Sequence, residues 1–202
     1  MDPYVYPNTT VLRNLRDIRD PDRLARFEMD MASSRIAELS MSPRQGGFDT
    51  RHLQAIHRYL FQDVYRWAGE FRSVEISKTG ALFAFEQHIA PSLDRTFQDL
   101  KRENRLEGLD RARFCNRGAY YLGELNAIHP FRDGNGRTLR EFVRQLTARN
   151  GYEIDWTHVS RGEMIDASRE SFRKGNSGLE LVLRFALDTE ANQSKEWRDA
   201  DA

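Results

Sequence analysis

The sequence predicts a mainly α protein, a compact helical bundle carrying one short β-hairpin. Three observations carry that expectation. Apolar residues recur at three- and four-residue steps along most of the chain, helix-start signatures precede several of these stretches, and a single segment alternates apolar with polar residues.

In chain order, Asp20-Pro21 forms an N-cap and first-turn pair, followed by Leu24, Phe27, Met31 and Leu39 on one side of a helix. Arg13, Arg16, Arg19, Arg23 and Arg26 are interleaved with Asp17, Asp20, Asp22, Glu28 and Asp30, so this stretch reads as a solvated, salt-bridged face. Pro43 to Phe48 reads as a loop. From Arg72 to Ser77 the pattern alternates, then turns through Lys78-Thr79-Gly80 before Leu82 and Phe83, as a hairpin or flap does. Helical spacing returns over 110–128 with Cys115, Ala119, Leu122 and Leu125, and Asn150-Gly151 marks a helix stop. Ser160 to Glu163 and Ser177 to Glu180 both have the form of a capping box. They predict two further helices, one turning Met164, Ala167 and Ser168 inward, the other Leu179, Val182, Leu183 and Ala186. The residues from Asp188 onward are polar and read as a frayed end.

Composition narrows the function classes. The 202 residues carry 31 basic and 31 acidic side chains, a formal net charge of zero. That balance argues against nucleic acid and membrane surfaces as partners, since both favour a basic excess. Only Lys78, Lys101, Lys174 and Lys195 are lysines; the other 27 basic residues are arginines, the planar fork that suits phosphate and carboxylate. The single cysteine, Cys115, excludes an internal disulfide and a cysteine-based zinc site, and its apolar neighbours read as core. No signal peptide or membrane-spanning run is visible, so a reducing cytoplasm is the expected compartment.

One segment concentrates chemistry: His129-Pro130-Phe131-Arg132-Asp133-Gly134-Asn135-Gly136-Arg137-Thr138-Leu139-Arg140. It reads as a helix end, a tight loop and a helix start. Pro130 cannot continue the helix before it. Gly134 and Gly136 let backbone N–H groups converge, and the positive end of the new helix points at the same place. On the helical wheel Leu139, Phe142, Val143 and Leu146 share one side, with Arg137, Arg140 and Arg144 opposite; Arg144 sits a turn further on and reads as a surface ion pair. The amides of Gly134 to Gly136 and the Asn135 side chain suit phosphate oxygens, Asp133 suits Mg²⁺, and Arg137 and Arg140 suit distal phosphates. His129 has the chemistry to take a proton from a hydroxyl. A lone histidine at a helix end or a lone Gly-Asn-Gly would be a packing residue or a turn, but the combination goes beyond either.

These residues resemble the signature of the Fic family, His-Pro-Phe-x-Asp/Glu-Gly-Asn-Gly-Arg-x-x-Arg, with no specified position missing. Tyr121 to Asn126, Trp67-Ala68-Gly69-Glu70-Phe71-Arg72, the run 150–156 and the opening Asp2 to Pro7 also resemble Fic toxins of bacterial toxin–antitoxin pairs. The resemblance implies a Fic fold, with the hairpin as a flap over a nucleotide site. It implies an N-terminal helical segment at 1–50 packed on a catalytic domain at 51–188, with a polar tail at 189–202.

The implied reaction is transfer of AMP from Mg-ATP to a Tyr, Ser or Thr hydroxyl of a target protein. By position, His129 would be the general base and Asp133 the Mg²⁺ ligand. Gly134, Asn135 and Gly136 would form the anion hole, with Arg137 at the β-phosphate and Arg140 at the γ-phosphate. Lys78, Thr79 and Gly80 would meet an extended target segment, unless they are a plain surface turn. Asn176 would lie close to the adenine, unless it is a turn residue after Gly175. Many relatives are blocked by a helix of pattern Ser/Thr-x-x-x-Glu-Gly/Asn. The one Ser/Thr-x-x-x-Glu match, Ser34 to Glu38, is followed by Leu39 and reads as ordinary helix, so a separate antitoxin supplying that glutamate is expected. The toxins most resembled act on the ATPase subunits of DNA gyrase and topoisomerase IV. Other readings are a Fic-type effector acting on host proteins, whose delivery domain the 202 residues would not include, a phosphate-transferring relative, which has Lys at the position of Gly136, or a helical binding module with an inactive site.

Overall fold

Short polar side chains set several of the helix starts. In the computed structural model, which describes residues 2–78 and 81–192, Asp20, Asp49 and Asp110 each accept a hydrogen bond from the backbone N–H three residues on. They open α1 (Pro21–Met41), α2 (Thr50–Phe61) and α4 (Arg111–Ile128). Ser160 and Glu163 form the complete capping box of α6 (Arg161–Lys174). The remaining helices are α3 (Ile89–Arg102), α5 (Asn135–Arg149) and α7 (Ser177–Ala186). The second capping box does not form. Asn176 is the N-cap of α7, Ser177 is already helical, and Glu180 pairs instead with Arg184 and Asn116.

Helix α4 is the axis of the bundle. Phe114, Cys115, Ala119, Leu122, Leu125 and Ile128 are all buried, and the helix packs against α7, α3 and α5. A helix covered on several sides needs apolar residues on more than one face. Among the described residues the only sheet is a two-stranded antiparallel ribbon, β1 (Ser77–Lys78) with β2 (Ala81–Leu82), registered Ser77 opposite Leu82. Thr79 and Gly80 lie outside the described residues. No helix among those described is long and apolar enough to cross a membrane.

Two sequence expectations change at the ends of the chain. Residues 2–20 form turns and one isolated bridge rather than a helix: Val5 bridges Leu12, Tyr6, Val11 and Leu12 are buried, and Asp2 pairs with Arg132 at 2.7 Å. At the other end Asn192 is buried, its amide bonded to both backbone groups of Glu153 and to the Leu187 carbonyl. The polar run therefore contains an anchored residue, which composition alone does not reveal. Arg144 also differs from expectation, because its partner Glu141 is only 3% exposed and the pair lies on the inner side of α5.

The loop between α4 and α5 is held from α2. His57 is fully buried, its Nδ1 accepts from the Gly69 N–H at 2.8 Å, and its Nε2–H donates to the Asp133 carbonyl at 3.0 Å. That pair of bonds fixes the neutral tautomer. The ring stacks on Phe131 with centroids 3.8 Å apart. Burial pushes the His57 pKa down to about 4. The unfolded chain then binds a proton that the folded one refuses, so the contribution is complete above about pH 6.5 and is lost as pH falls towards 4. Urea titrations over that window are expected to lose about 3 kcal/mol from this group, and His57→Gln, less stable at neutral pH, should show a visibly flatter slope. Gly134 is the second constraint: its φ is +77° and a Cβ there would meet the Phe61 ring at 2.4 Å. Phe61 is fully buried, so it has no room to yield. Gly134→Ala should cost about 2–4 kcal/mol, read as a lowered denaturation midpoint.

Candidate active site

The carboxyl end of α4 places His129 in an unusual backbone state. It caps the helix in the left-handed region, φ 50° and ψ 61°, rather than the extended region that a following proline favours. A non-glycine residue there costs of order 1 kcal/mol, held by its surroundings. Arg72 Nε donates to the His129 carbonyl at 2.9 Å, and the Arg72 N–H donates to the Pro130 carbonyl at 2.9 Å. Phe83, the residue after β2, stacks on the imidazole with centroids 3.8 Å apart and planes 18° apart. His129 Nδ1 lies 3.3 Å from the Asn126 carbonyl. The tautomer that donates there puts the basic lone pair on Nε2.

His129 opens onto a cleft of about 630 Å³ whose walls also include Gly136, Arg140, Phe83, Trp156 and Arg161. Of the predicted site residues, this cleft brings together His129, Gly136 and Arg140. Asp133, Gly134 and Asn135 complete the loop between them. Gly134 is the N-cap of α5 and carries no side chain to occupy the helix start. The N–H groups of Asn135, Gly136 and Arg137 have no acceptor among the described residues. The Asn135 side chain is not available to phosphate. It is 3% exposed, accepts from the Phe131 N–H at 3.0 Å and donates to the Phe131 carbonyl at 2.8 Å, so it shapes the loop from within.

The two motif arginines differ sharply. Arg137 Nη2 donates to Glu28 of α1 at 2.5 Å, and its guanidinium lies over the Phe61 ring. Arg140 is half-buried and has no ion pair or hydrogen bond from its side chain among the described residues. Burial, then the positive charges of Arg137 and Arg161, push its pKa below the usual arginine value. A guanidinium stays protonated regardless, so the tension there is relieved by an anion.

Other predicted positions are more peripheral. Asn176 lies against α4, where Gly123 makes room; a Cβ on Gly123 would meet the Asn176 Oδ1 at 2.3 Å. Lys78 ends β1, while Thr79 and Gly80 are outside the described residues. Glu38, the match to the inhibitory spacing, accepts from the Tyr59 hydroxyl at 2.5 Å and pairs with Arg35 at 2.8 Å, on the seam between α1 and α2. Those neighbours hold its carboxyl below the ordinary range, the Tyr59 bond first. Sequence reasoning missed Glu28, His57, Arg72, Phe83 and Arg161. Each acts through a contact distant in sequence, and only the Trp67-to-Arg72 run hinted at one of them.

The donor set fits a hard cation bound with help from substrate. One Asp133 oxygen accepts from the Gly134 N–H at 2.6 Å, and the other has no protein partner among the described residues. Among those residues no three His, Cys, Asp or Glu side chains come together to hold a metal. One carboxylate beside a phosphate track is what Mg²⁺ uses, its other ligands being phosphate oxygens and water.

Comparison with known proteins agrees with this geometry. Residues 47–147 match the Fic/DOC family. Protein adenylyltransferase VbhT of Bartonella schoenbuchensis is 49% identical over 182 residues, covering 90% of this chain, which spans only 38% of that protein. The probable protein adenylyltransferase Fic of Escherichia coli is 33% identical over 194 residues, 96% of each chain. Among solved structures, the VirB-translocated effector BepC of Bartonella tribocorum with bound AMPPNP superposes with a TM-score of 0.85, at 28% identity, over 91% of this chain and 95% of that one. In fold, motif and family match alike, this chain belongs to the Fic/DOC family.

Proposed function

We propose that this chain is a protein adenylyltransferase, moving AMP from ATP to a hydroxyl of a target protein. The observation that carries the reading is Arg140: a half-buried guanidinium without an acidic partner among the described residues, in one cleft with His129 and the uncapped start of α5. Two matched relatives are named adenylyltransferases, and a matched structure holds an ATP analogue.

In the reaction His129 Nε2 takes the proton from the target hydroxyl as its oxygen attacks the α-phosphorus in line. A new P–O bond forms, the bond from the α-phosphorus to the bridging oxygen breaks, and pyrophosphate leaves. The α5 amides and Arg137 hold the β-phosphate side, and Arg140 holds the γ-phosphate. Asp133 would hold Mg²⁺, which when bound supplies charge neutralisation on the phosphates. Asn176 would act from the α4–α7 side, near the adenine. The β1–β2 ribbon offers an edge to an extended target segment, with Lys78, Thr79 and Gly80 at the contact. Phe83 ties that ribbon to the base by stacking on His129. Positioning supplies much of the rate, because nucleophile, base and phosphate are brought into one geometry.

Two finer proposals rest on the resemblance to toxins of toxin–antitoxin pairs. The chain arrests bacterial growth by modifying the ATPase subunits of DNA gyrase and topoisomerase IV, in the cytoplasm. A separate antitoxin supplies a glutamate to Arg140. The engagement of Glu38 by Tyr59 and Arg35 supports the second point, since it commits the one matching glutamate elsewhere. The effector reading keeps the same chemistry and changes the target; the naming of BepC as a VirB-translocated effector favours keeping it.

Intact mass of candidate targets after incubation with Mg-ATP tests the activity. A gain equal to AMP is expected, and His129→Ala should abolish it, a loss of at least about 100-fold, without lowering the melting temperature. A gain equal to phosphate would replace the reading with a kinase, and no change on any target would favour a binding module. The purified chain should be active with Glu38 intact. Activity appearing only in Glu38→Ala would show a built-in brake instead.

A further inference from the structure

Arg137 is held in a way that Arg140 is not. Its Nη2 donates to Glu28 Oε1 at 2.5 Å, and its guanidinium carbon lies 4.6 Å from the centroid of the Phe61 ring. The other oxygen of Glu28 accepts from the Tyr65 hydroxyl. The Glu28 side chain is 13% exposed and the Arg137 side chain 25%. Glu28 belongs to α1, outside the residues 47–147 that the family match covers.

The physical consequence is a fixed guanidinium. A free arginine side chain samples many rotamers, and holding one costs up to about 2 kcal/mol of rotamer entropy. A carboxylate on one edge and an aromatic ring beneath remove most of that freedom before any ligand arrives. The remaining N–H groups of Arg137 have no acceptor among the described residues. Glu28 is itself secured, because Tyr65 occupies its second oxygen and stays protonated: burial and then the Glu28 charge push the phenol well above its ordinary range.

We propose that Glu28, oriented by Tyr65, is the positioning residue for Arg137, holding the guanidinium over Phe61 with its remaining N–H edge turned to the β-phosphate. This rests on the adenylyl-transfer reading, which assigns Arg137 to that phosphate. It gives α1 a part in nucleotide handling as well as in packing. It also divides the labour between the motif arginines. Arg137, paired with Glu28, contributes chiefly direction, and Arg140, without such a pair among the described residues, contributes chiefly charge.

Calorimetric binding of AMP, ADP and ATP with Mg²⁺ to the full chain tests the proposal, with melting temperature measured alongside. AMP lacks the β-phosphate, so it is the internal control. Glu28→Ala should weaken ADP and ATP about tenfold while AMP stays within about twofold, and should raise the KM for ATP in transfer assays. Glu28→Gln, which keeps an acceptor for Arg137, should recover most of the loss. Tyr65→Phe should move ADP and ATP in the same direction by about threefold, and decides the question alone if Glu28→Ala does not fold. Unchanged ADP binding in these variants overturns the proposal. Tighter binding overturns it too, because Glu28 would then compete with phosphate. So does an equal loss for AMP, which would mark Glu28 as support for the fold. Failure of the unmodified chain to bind any nucleotide would remove the adenylyl-transfer reading and this one together, whereas normal ATP binding with an indifferent Glu28→Ala removes this one only.

Discussion

Helix α4 ends inside the protein, and its last carbonyls have no helical partners and little water. Arg72 resolves that problem. Its side chain is fully buried and donates to the carbonyls of His129, Ile128, Val74 and Ala84, while its own N–H donates to Pro130. A helix end buried without such partners would be costly for each orphaned carbonyl. Only arginine brings enough donors in one plane to serve so many acceptors; a lysine ammonium would leave several unmet. Burial lowers the Arg72 pKa, but the group remains charged, with Glu75 at 3.5 Å as its nearest counter-charge.

From that one side chain follows the unity of the cleft. Val74 and Ala84 flank the β1–β2 ribbon, and Ile128, His129 and Pro130 lead into the motif loop. Arg72 therefore clamps the foot of the β1–β2 ribbon to His129, the residue proposed as the base, and Phe83 adds a stacked ring on the same imidazole. A displacement of the ribbon would be felt at His129 through two independent contacts. On the far side of the loop His57 and Asn135 fix Asp133 and Phe131, so the start of α5 is presented in a single orientation.

Much of this was legible in the sequence where the cause is local. The prolines, glycines and caps of 129–140 act over a few residues, and so do the aspartates that open α1, α2 and α4, because turn and cap chemistry depends on near neighbours. The bundle followed from periodicity, because α4 and α5 must bury the faces that pattern marks out. Direction was not legible. Asn135 has the right atoms for phosphate, yet its side chain turns inward, and residue type alone does not say which way. Arg144 reads as a surface residue because a wheel shows angle and not what lies opposite. Glu28 sits in a charge-mixed stretch that reads as solvated, and nothing nearby in sequence marks it as the partner of Arg137, 109 residues away. His57 and Phe83 are silent for the same reason, and Arg72 is marked only by the Trp67-to-Arg72 run.

The arginine excess gains its meaning from pairing rather than number. Arg35 has Asp63 and Glu38, Arg117 has Glu103, Arg144 has Glu141, and Arg137 has Glu28. Such pairs keep a partly buried guanidinium tolerable, since each charge taken from water needs a counter-charge or a set of acceptors. Arg72 manages chiefly with carbonyls, with Glu75 at 3.5 Å. Arg140 has neither among the described residues, and two other arginines raise the local potential around it. Folding alone would favour a neutral residue at that position. A charge kept there against its own desolvation and against like-charged neighbours stabilises some other state, one in which an anion lies in the cleft. The zero net charge of the chain thus conceals a small region that is strongly positive, at the helix start where the amides also point.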